Sequence, residues 1–254
     1  MSSHLANLEH FRTLRLPDAR AEYERQLNDA TIESLGFIDR LDLILDKEIT
    51  MRHNRRVARK LREATLRVVA YKEEFSFDTN RGISRETFAH LASLSFMNQA
   101  NGLIITGPTG VGKTYLGCAL GMEAIRQEYS VRYMRTSDLI ERLTLARADG
   151  SYRSLGANLR RLDLLILDDF GLSPVSVSSS RELLEIIDAR VDLRSTIFLS
   201  QFPVAQFHAL MEDKTAADAI MDRIIHASRV IELTGESMRK LKARDEPNQD
   251  EEGG

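Results

Sequence analysis

The 254-residue sequence predicts an α/β fold, a parallel sheet flanked by helices, preceded by a smaller all-helical segment. Three observations carry this reading. From about residue 100 onward, short apolar runs alternate with helix-period stretches, the pattern of parallel strands covered on both faces. The first 75 residues have helical apolar spacing with no strand pattern or glycine turn. The first apolar run also opens onto Gly107-Pro108-Thr109-Gly110-Val111-Gly112-Lys113-Thr114, a glycine loop leading into another helical stretch.

The elements follow in order. Leu5, Leu8, Phe11 and Leu14-Leu16 form a first helix, stopped and restarted at Pro17-Asp18. A second helix through Tyr23 and Leu27 ends near Asn28-Asp29, and Ser34 is a candidate cap for a long third helix running to about Arg62. A connector over Tyr71 to Gly82 and a short helix at Arg85 to Ser93 precede the alternating region. There, strands are expected at Leu103–Thr106, Val131–Met134, Leu164–Leu167, Thr196–Leu199 and Arg229–Leu233. Helices are expected at Thr114–Gln127, after Thr136 or Ser137 as cap, at Ser180–Leu193 and at Ala216–His226. This divides the chain into a helical domain (1–75), a sheet domain (76–244) and an acidic, disordered tail (245–254).

Composition removes several function classes. A hydrophobic fraction of 43% is enough for a core, so the chain is not a disordered protein. A net charge of -3 identifies no partner; only the placement of charges can. Cys118 is the only cysteine, so no intrachain disulfide is possible, and its apolar neighbours suit a core thiol. No secretory pattern or run of about 18 apolar residues occurs, which predicts a soluble, cytoplasmic protein with no membrane partner. None of the six histidines pairs with Cys, Asp or Glu at ligand spacing, so no transition-metal site is expected. Ser173, Ser176 and Ser178-Ser179-Ser180 read as a mobile loop without a nucleophile pattern.

The glycine loop matches G-x-x-x-x-G-K-[ST], following a strand and opening a helix as a phosphate cradle requires. The expected fold is therefore that of a P-loop NTPase. Gly107, Pro108, Thr109, Gly110, Val111 and Gly112 would wrap a nucleotide's phosphates, with Tyr115 just beyond. Lys113 supplies charge to the terminal phosphates, and Thr114 offers a hydroxyl to Mg2+. Leu164 to Asp169 delivers two carboxylates to a strand end: Asp168 as a second magnesium ligand, Asp169 to polarise an attacking water. Gln201, ending the fourth strand, is a candidate to hold that water or sense the terminal phosphate.

The pieces GPTGVGKTYLGCALG, LARADGSYRSL, LDLLILDDFGL, SQFPV, DRIIHASRVIEL and GESMR, in this order, resemble the AAA+ ATPases of the DnaC/DnaA-like branch. Within it they are most similar to IstB-type transposition helper ATPases, and the N-terminal LRLPDARAEYERQL and RHNRRVARKLREATLR extend the resemblance over almost the whole chain. The resemblance implies an ATP- and Mg2+-dependent ATPase that forms homo-oligomers on double-stranded DNA and assists a transposase. It implies that Arg223 reaches the ATP of a neighbouring subunit, and that Arg239 senses nucleotide although only about fifteen residues follow it, too few for a full helical lid. By sequence alone Arg223 is also readable as a helix-surface arginine paired with Asp222 or Glu232.

Charge is sorted along the third helix. Asp39, Asp42, Asp46 and Glu48 precede Arg52, Arg55, Arg56, Arg59, Lys60, Arg62 and Arg67, and steps of three and four put several cations on one face. Such a face suits duplex DNA with little sequence preference, or is simply a solvated, ion-paired surface. Three other functions share parts of this pattern. A replicative helicase loader of the DnaC type shares the core; a small-molecule kinase shares the loop but leaves Asp168-Asp169 and Arg223 poorly explained; a nucleotide-gated DNA clamp would hydrolyse slowly.

Overall fold

The computed structural model describes residues 3–77 and 81–238. It divides into two compact units, Met1–Arg59 and Lys60–Gly254.

The first unit is helical. Helix α1 (Ser3–Thr13) and α2 (Pro17–Leu27) are separated by a turn with Arg15 at positive φ, and Pro17 starts α2 where its missing N–H costs nothing. Helix α3 (Phe37–Ala64) follows a 3₁₀ turn over Ala30–Ser34 and is continuous past Arg59. Ser34 does not cap α3. Leu35 is extended, so the Ser34 hydroxyl turns back to the Thr31 carbonyl at 3.0 Å, and α3 starts at Phe37. The cap that matters here is tertiary: buried Glu48 of α3 accepts from the amides of Asp18 (2.9 Å) and Ala19 (3.0 Å), two of the orphan donors at the N-terminus of α2.

In the second unit, α4 (Arg85–Ala92, capped by Ser84) and α5 (Ser95–Asn98) lead into β1 (Gly102–Thr106). Then come α6 (Lys113–Arg126), β2 (Val131–Arg135), α7 (Thr136–Asp149), α8 (Tyr152–Arg161), β3 (Leu164–Asp168), α9 (Val177–Asp188), β4 (Ser195–Ser200), α10 (Lys214–His226) and β5 (Ser228–Glu232). The five strands form one parallel sheet in the order β2-β3-β4-β1-β5. Strands β1, β3 and β4 are buried along their whole length, which is why they read as unbroken apolar runs; the edge strand β5 exposes Val230. Phe170, Phe198 and Phe207 pack ring against ring over this sheet, with Leu183, Ile186 and Ile220 from α9 and α10.

Three local expectations are corrected. Neither Thr136 nor Ser137 caps α7: Thr136 is its first residue, and its hydroxyl donates instead to the Asp168 carbonyl at 3.0 Å. Helix α8 is an element the sequence pattern left as connection. The serine-rich stretch is not a loose loop. Ser176 caps α9 by accepting from the Ser179 amide at 3.3 Å, and Ser178–Ser180 lie inside the helix, with Ser180 fully buried.

A buried arginine ties the starts of β3 and β4 together. Arg190, only 1% exposed, donates to the carbonyls of Leu159 (2.5 Å), Leu162 (2.9 Å) and Ser195 (2.5 Å) and to the Thr196 hydroxyl (3.0 Å). Burial pushes its pKa down to about 10, which leaves it charged at neutral pH.

Candidate nucleotide site

In a doubly wound sheet, ligands sit beyond the carboxyl ends of the strands. Here β1, β3 and β4 end side by side, and each contributes a turn. After β1 the chain enters Gly107 with φ 143° and Gly110 with φ 85°, conformations that L side chains rarely adopt. Both glycines are also sterically committed. A Cβ on Gly107 would run into the Leu233 carbonyl oxygen, and one on Gly110 into the Ser237 hydroxyl, with Ser237 Cβ at 2.9 Å. The segment after β5 therefore lies against the loop, held by Leu233 N–H to the Thr106 carbonyl (2.8 Å) and Met238 N–H to the Gly110 carbonyl (2.9 Å).

Helix α6 begins at Lys113, directing its N-terminal amides at the loop. Lys113 Nζ donates to the carbonyls of Gly107 (2.7 Å) and Pro108 (2.9 Å). Burial lowers its pKa, against the opposing pull of Asp168 and Asp169. One residue on, Thr114 Oγ1 donates to Asp168 Oδ2 at 2.8 Å, joining the first turn of α6 to the end of β3. The same carboxylate oxygen accepts from the Tyr133 hydroxyl of β2 at 2.7 Å, and Oδ1 accepts from the Asp169 amide at 2.8 Å. Asp168 is 2% exposed, whereas Asp169 turns out of the strand with φ 55° and keeps a partly exposed carboxylate.

Gln201, just past β4, reaches the loop: Thr109 Oγ1 donates to its Oε1 at 2.8 Å. Next to it Ser200 Oγ donates to the Phe170 carbonyl at 2.7 Å, so the turns after β3 and β4 are fastened to each other. Tyr115 points toward the connector, its hydroxyl donating to Glu74 Oε2 at 3.0 Å; burial raises its pKa and Glu74 adds to the rise. Arg67, Val68, Gly110, Lys113, Tyr115 and Met238 are among the residues lining a cavity of about 230 Å³ beside the loop.

Two candidates are distributed otherwise than their place in the sequence suggests. Arg67 lies beyond the end of α3, and its guanidinium is 3.8 Å from Asp168 and 3.9 Å from Asp169. Arg223, on α10, pairs with Asp188 of α9 rather than with Asp222 or Glu232, and donates to the Ala219 carbonyl at 3.2 Å. Its neighbours Gly102, Thr196 and Ser228 are the first residues or near-first residues of β1, β4 and β5, the end of the sheet opposite the loop. Arg239 and the stretch 245–254 lie outside the described residues. Of the basic run, Arg52 is bound to Glu48 (2.6 Å) and to the Arg15 carbonyl (2.6 Å), and Arg55 to Asp18. Arg56, Arg59 and Arg62 are exposed on α3, with Lys60 half-buried.

Sequence pattern gave no role to Tyr133, Arg135, Ser237 or Met238. Tyr133 and Arg135 had a readable signal: alternate positions of β2 share a face, and parallel register sets Arg135 opposite Asp168, with its Nε 3.8 Å from Asp169.

The donor set can be tested against Mg2+. Among the described residues no group of three or more His, Cys, Asp or Glu could hold a metal ion. A hydroxyl and one buried carboxylate, both hard oxygen donors, nonetheless fit Mg2+, which keeps waters and takes phosphate oxygens to complete its shell. Cys118 takes no part; burial raises the pKa of its thiol. No described helix is long and apolar enough to cross a membrane.

A parallel sheet in this order, a glycine loop after β1, a lysine opening the next helix and an acidic end to β3 define a P-loop NTPase of the AAA+ kind. The chain belongs to the IstB-like ATP binding protein family, whose model matches residues 9–246. It is 38% identical to a protein of Sinorhizobium fredii named as insertion sequence ATP-binding protein y4pL, over 93% of this chain and 97% of that one. It is 30% identical to the ATP-binding protein named for insertion sequence IS21 of Pseudomonas aeruginosa, over 91% and 87% of the two chains. Among solved structures, the DnaC helicase loader superposes with a TM-score of 0.54 at 20% identity, over 65% of this chain and 97% of that one. AMPPCP-bound DnaA from Aquifex aeolicus gives 0.57 at 20% identity, over 71% and 56%. At these identities the structures share the fold.

Proposed function

We propose that this chain is an ATP-binding, Mg2+-dependent ATPase that assembles on double-stranded DNA as a homo-oligomer and assists the transposase of an insertion sequence. The observation that carries the reading is the join between Thr114 and Asp168 at 2.8 Å, beneath a loop whose lysine is already turned inward. Membership of the IstB-like family, and relatives named for insertion sequences, support the setting.

The proposed division of labour is as follows. Gly107 to Gly112 wrap the phosphates with backbone amides, and Lys113 Nζ exchanges the loop carbonyls for terminal phosphate oxygens. Thr114 and Asp168 would hold Mg2+, whose contribution is to neutralise charge that builds on the transferred phosphoryl group. Asp169, turned out of β3 with a partly exposed carboxylate, would orient and polarise the attacking water, and Gln201, just past the neighbouring strand β4, would help to hold it. Tyr115 would border the nucleotide from the far side of the loop, and Arg239 would sense it.

Arg223 stands about 13 Å of strand away from the loop of its own subunit, the length of β1. That separation supports a role in trans, at the nucleotide of a neighbour, where a cation stabilises developing phosphoryl charge. In the isolated chain it would be parked on Asp188. The DNA contact is proposed on α3, through Arg52, Arg55, Arg56, Arg59, Lys60 and Arg62, with the ion pairs to Glu48 and Asp18 exchanged for phosphates. Arg67 is left out of this surface.

The test is sizing of the full chain with a duplex of about 50 base pairs, long enough to offer many phosphates, with ATP, ADP or neither. Lys113→Ala and Arg223→Ala run beside the wild type. A large ATP-dependent assembly on DNA that both variants lose is the expected result. A protein that stays monomeric in every combination and ignores duplex DNA overturns the trans-arginine and DNA assignments together.

A further inference from the structure

The charge around Asp168 and Asp169 is supplied from three directions: Lys113 from the loop, Arg135 from β2 and Arg67 from the segment following α3. The glycine-loop motif explains Lys113 and strand register explains Arg135, whereas Arg67 follows from neither. It is not a wandering surface cation, because the backbone on either side is fixed. Thr65 reverses the chain with φ 50° and donates its hydroxyl to the Tyr133 carbonyl at 3.1 Å, while Ala64 and Ala70 are fully buried. The buried Cys118 thiol packs against the backbone of Arg67 and Val68. Within this frame the guanidinium stays charged, held first by Tyr133 and then by the two carboxylates.

The carboxylate oxygen that Arg67 faces is Asp168 Oδ2, the same one that accepts from Thr114 and Tyr133. A divalent cation taken up between Thr114 and Asp168 would bring like charge against the guanidinium at that oxygen. Arg67 also lines the cavity beside the loop together with Lys113 and Thr114. Metal and triphosphate entering together would therefore compete with Arg67 for Asp168 and offer phosphate oxygens, a charge-assisted replacement, on the same wall.

We propose that Arg67 is a nucleotide-sensing residue supplied in cis: it neutralises Asp168 and Asp169 until Mg2+ with nucleotide arrives, and then transfers to the terminal phosphate oxygens. This rests on the nucleotide reading above and adds to it a residue that competes with the metal.

The test uses the full chain and the variants Arg67→Ala and Arg67→Lys, with two readouts. The first is Mn2+ binding without nucleotide, followed by electron paramagnetic resonance; removing the competing cation should tighten it about five- to tenfold in R67A, and R67K should stay near wild type. The second is binding of fluorescent ATP and ADP analogues with Mg2+; R67A should lose roughly fivefold or more of any preference for the triphosphate, and R67K should regain part of it. A purely structural role would not tighten metal binding. If R67A matches the wild type in both readouts, the inference is overturned. If R67A does not fold, as judged by circular dichroism, Arg67→Gln takes its place, and the same two readouts decide. If the wild type binds neither analogue, the nucleotide reading itself falls, and the Mn2+ comparison still decides whether Arg67 competes for the carboxylates.

Discussion

Replacing Gly110 with alanine puts the seating of the C-terminal segment on the loop to a quantitative test. The backbone there has φ 85°, which disfavours any L residue by roughly 1–2 kcal/mol. The added methyl would also collide with the Ser237 hydroxyl and lie 2.9 Å from its Cβ, and relieving such overpacking typically takes about 1–3 kcal/mol. The chain has one escape: residues 235–238 can lift away, which forfeits the bond from Met238 N–H to the Gly110 carbonyl. Either way Gly110→Ala should lose about 2–5 kcal/mol, seen as a fall in Tm of roughly 5–15 °C for a chain of this size. Gly110→Ala combined with Ser237→Gly removes the collision but not the backbone strain, since Ser237 Cα, at 3.4 Å, then becomes the nearest atom. A double-mutant cycle in urea should therefore give a favourable coupling of about 1–3 kcal/mol. Additive effects would mean that Ser237 is not seated on Gly110, and that the loop is built without the segment after β5.

Two further outcomes follow from buried charge. Burial works to raise the pKa of Glu48, but bonds from the Ala19 amide, Arg52 and the Asp18 amide outweigh it and hold the carboxyl below its ordinary value. Because the folded pKa is the lower one, Glu48 stabilises the first unit fully above about pH 4.5 and progressively less as pH falls through the folded value; Glu48→Gln should cost about 2–3 kcal/mol at pH 7 and flatten the acid limb of a pH-dependent urea titration. Arg190→Met strands three carbonyls and a hydroxyl that now share one guanidinium, so it should lower stability by about 3–5 kcal/mol in urea; an unchanged midpoint would mean that water replaces the arginine without penalty.

The parts of this site that could be read from the chain are those whose chemistry needs a fixed spacing. Four residues must separate the outer glycines of the loop, and lysine must open the helix, so Gly107 to Thr114 were legible as a unit. The strands were legible because burial on both faces leaves an apolar run within each: Leu103–Ile105 in β1, Leu164–Leu167 in β3 and Ile197–Leu199 in β4. Direction was not legible. Arg67 extends a run of cations in the sequence, but α3 ends at Ala64 and Thr65 reverses the chain, which turns Arg67 toward Asp168. Contacts between distant segments were equally hidden: nothing near Glu48 announces that it caps α2, and nothing near Ser237 announces Gly110. Helix α8 was obscured by its composition, SYRSLGANLRR with Gly156 at its centre, in which only Tyr152, Leu155 and Leu159 mark the inner face. The serines of 176–180 show the reverse error, since residues that favour loops also favour the first turn of a helix.

The glycine loop and Arg223 occupy opposite ends of one sheet. If Arg223 serves a neighbour's nucleotide, two arrangements satisfy it: an antiparallel pair about a two-fold axis, in which each arginine fills the other's loop, or a head-to-tail contact. In the head-to-tail case one loop and one arginine stay open, and every added subunit recreates the same pair of open ends. Such a polymer has no intrinsic length: it stops only by closing into a ring or by exhausting what it grows on. If that growth ran along DNA, the duplex rather than the protein would set the count of subunits.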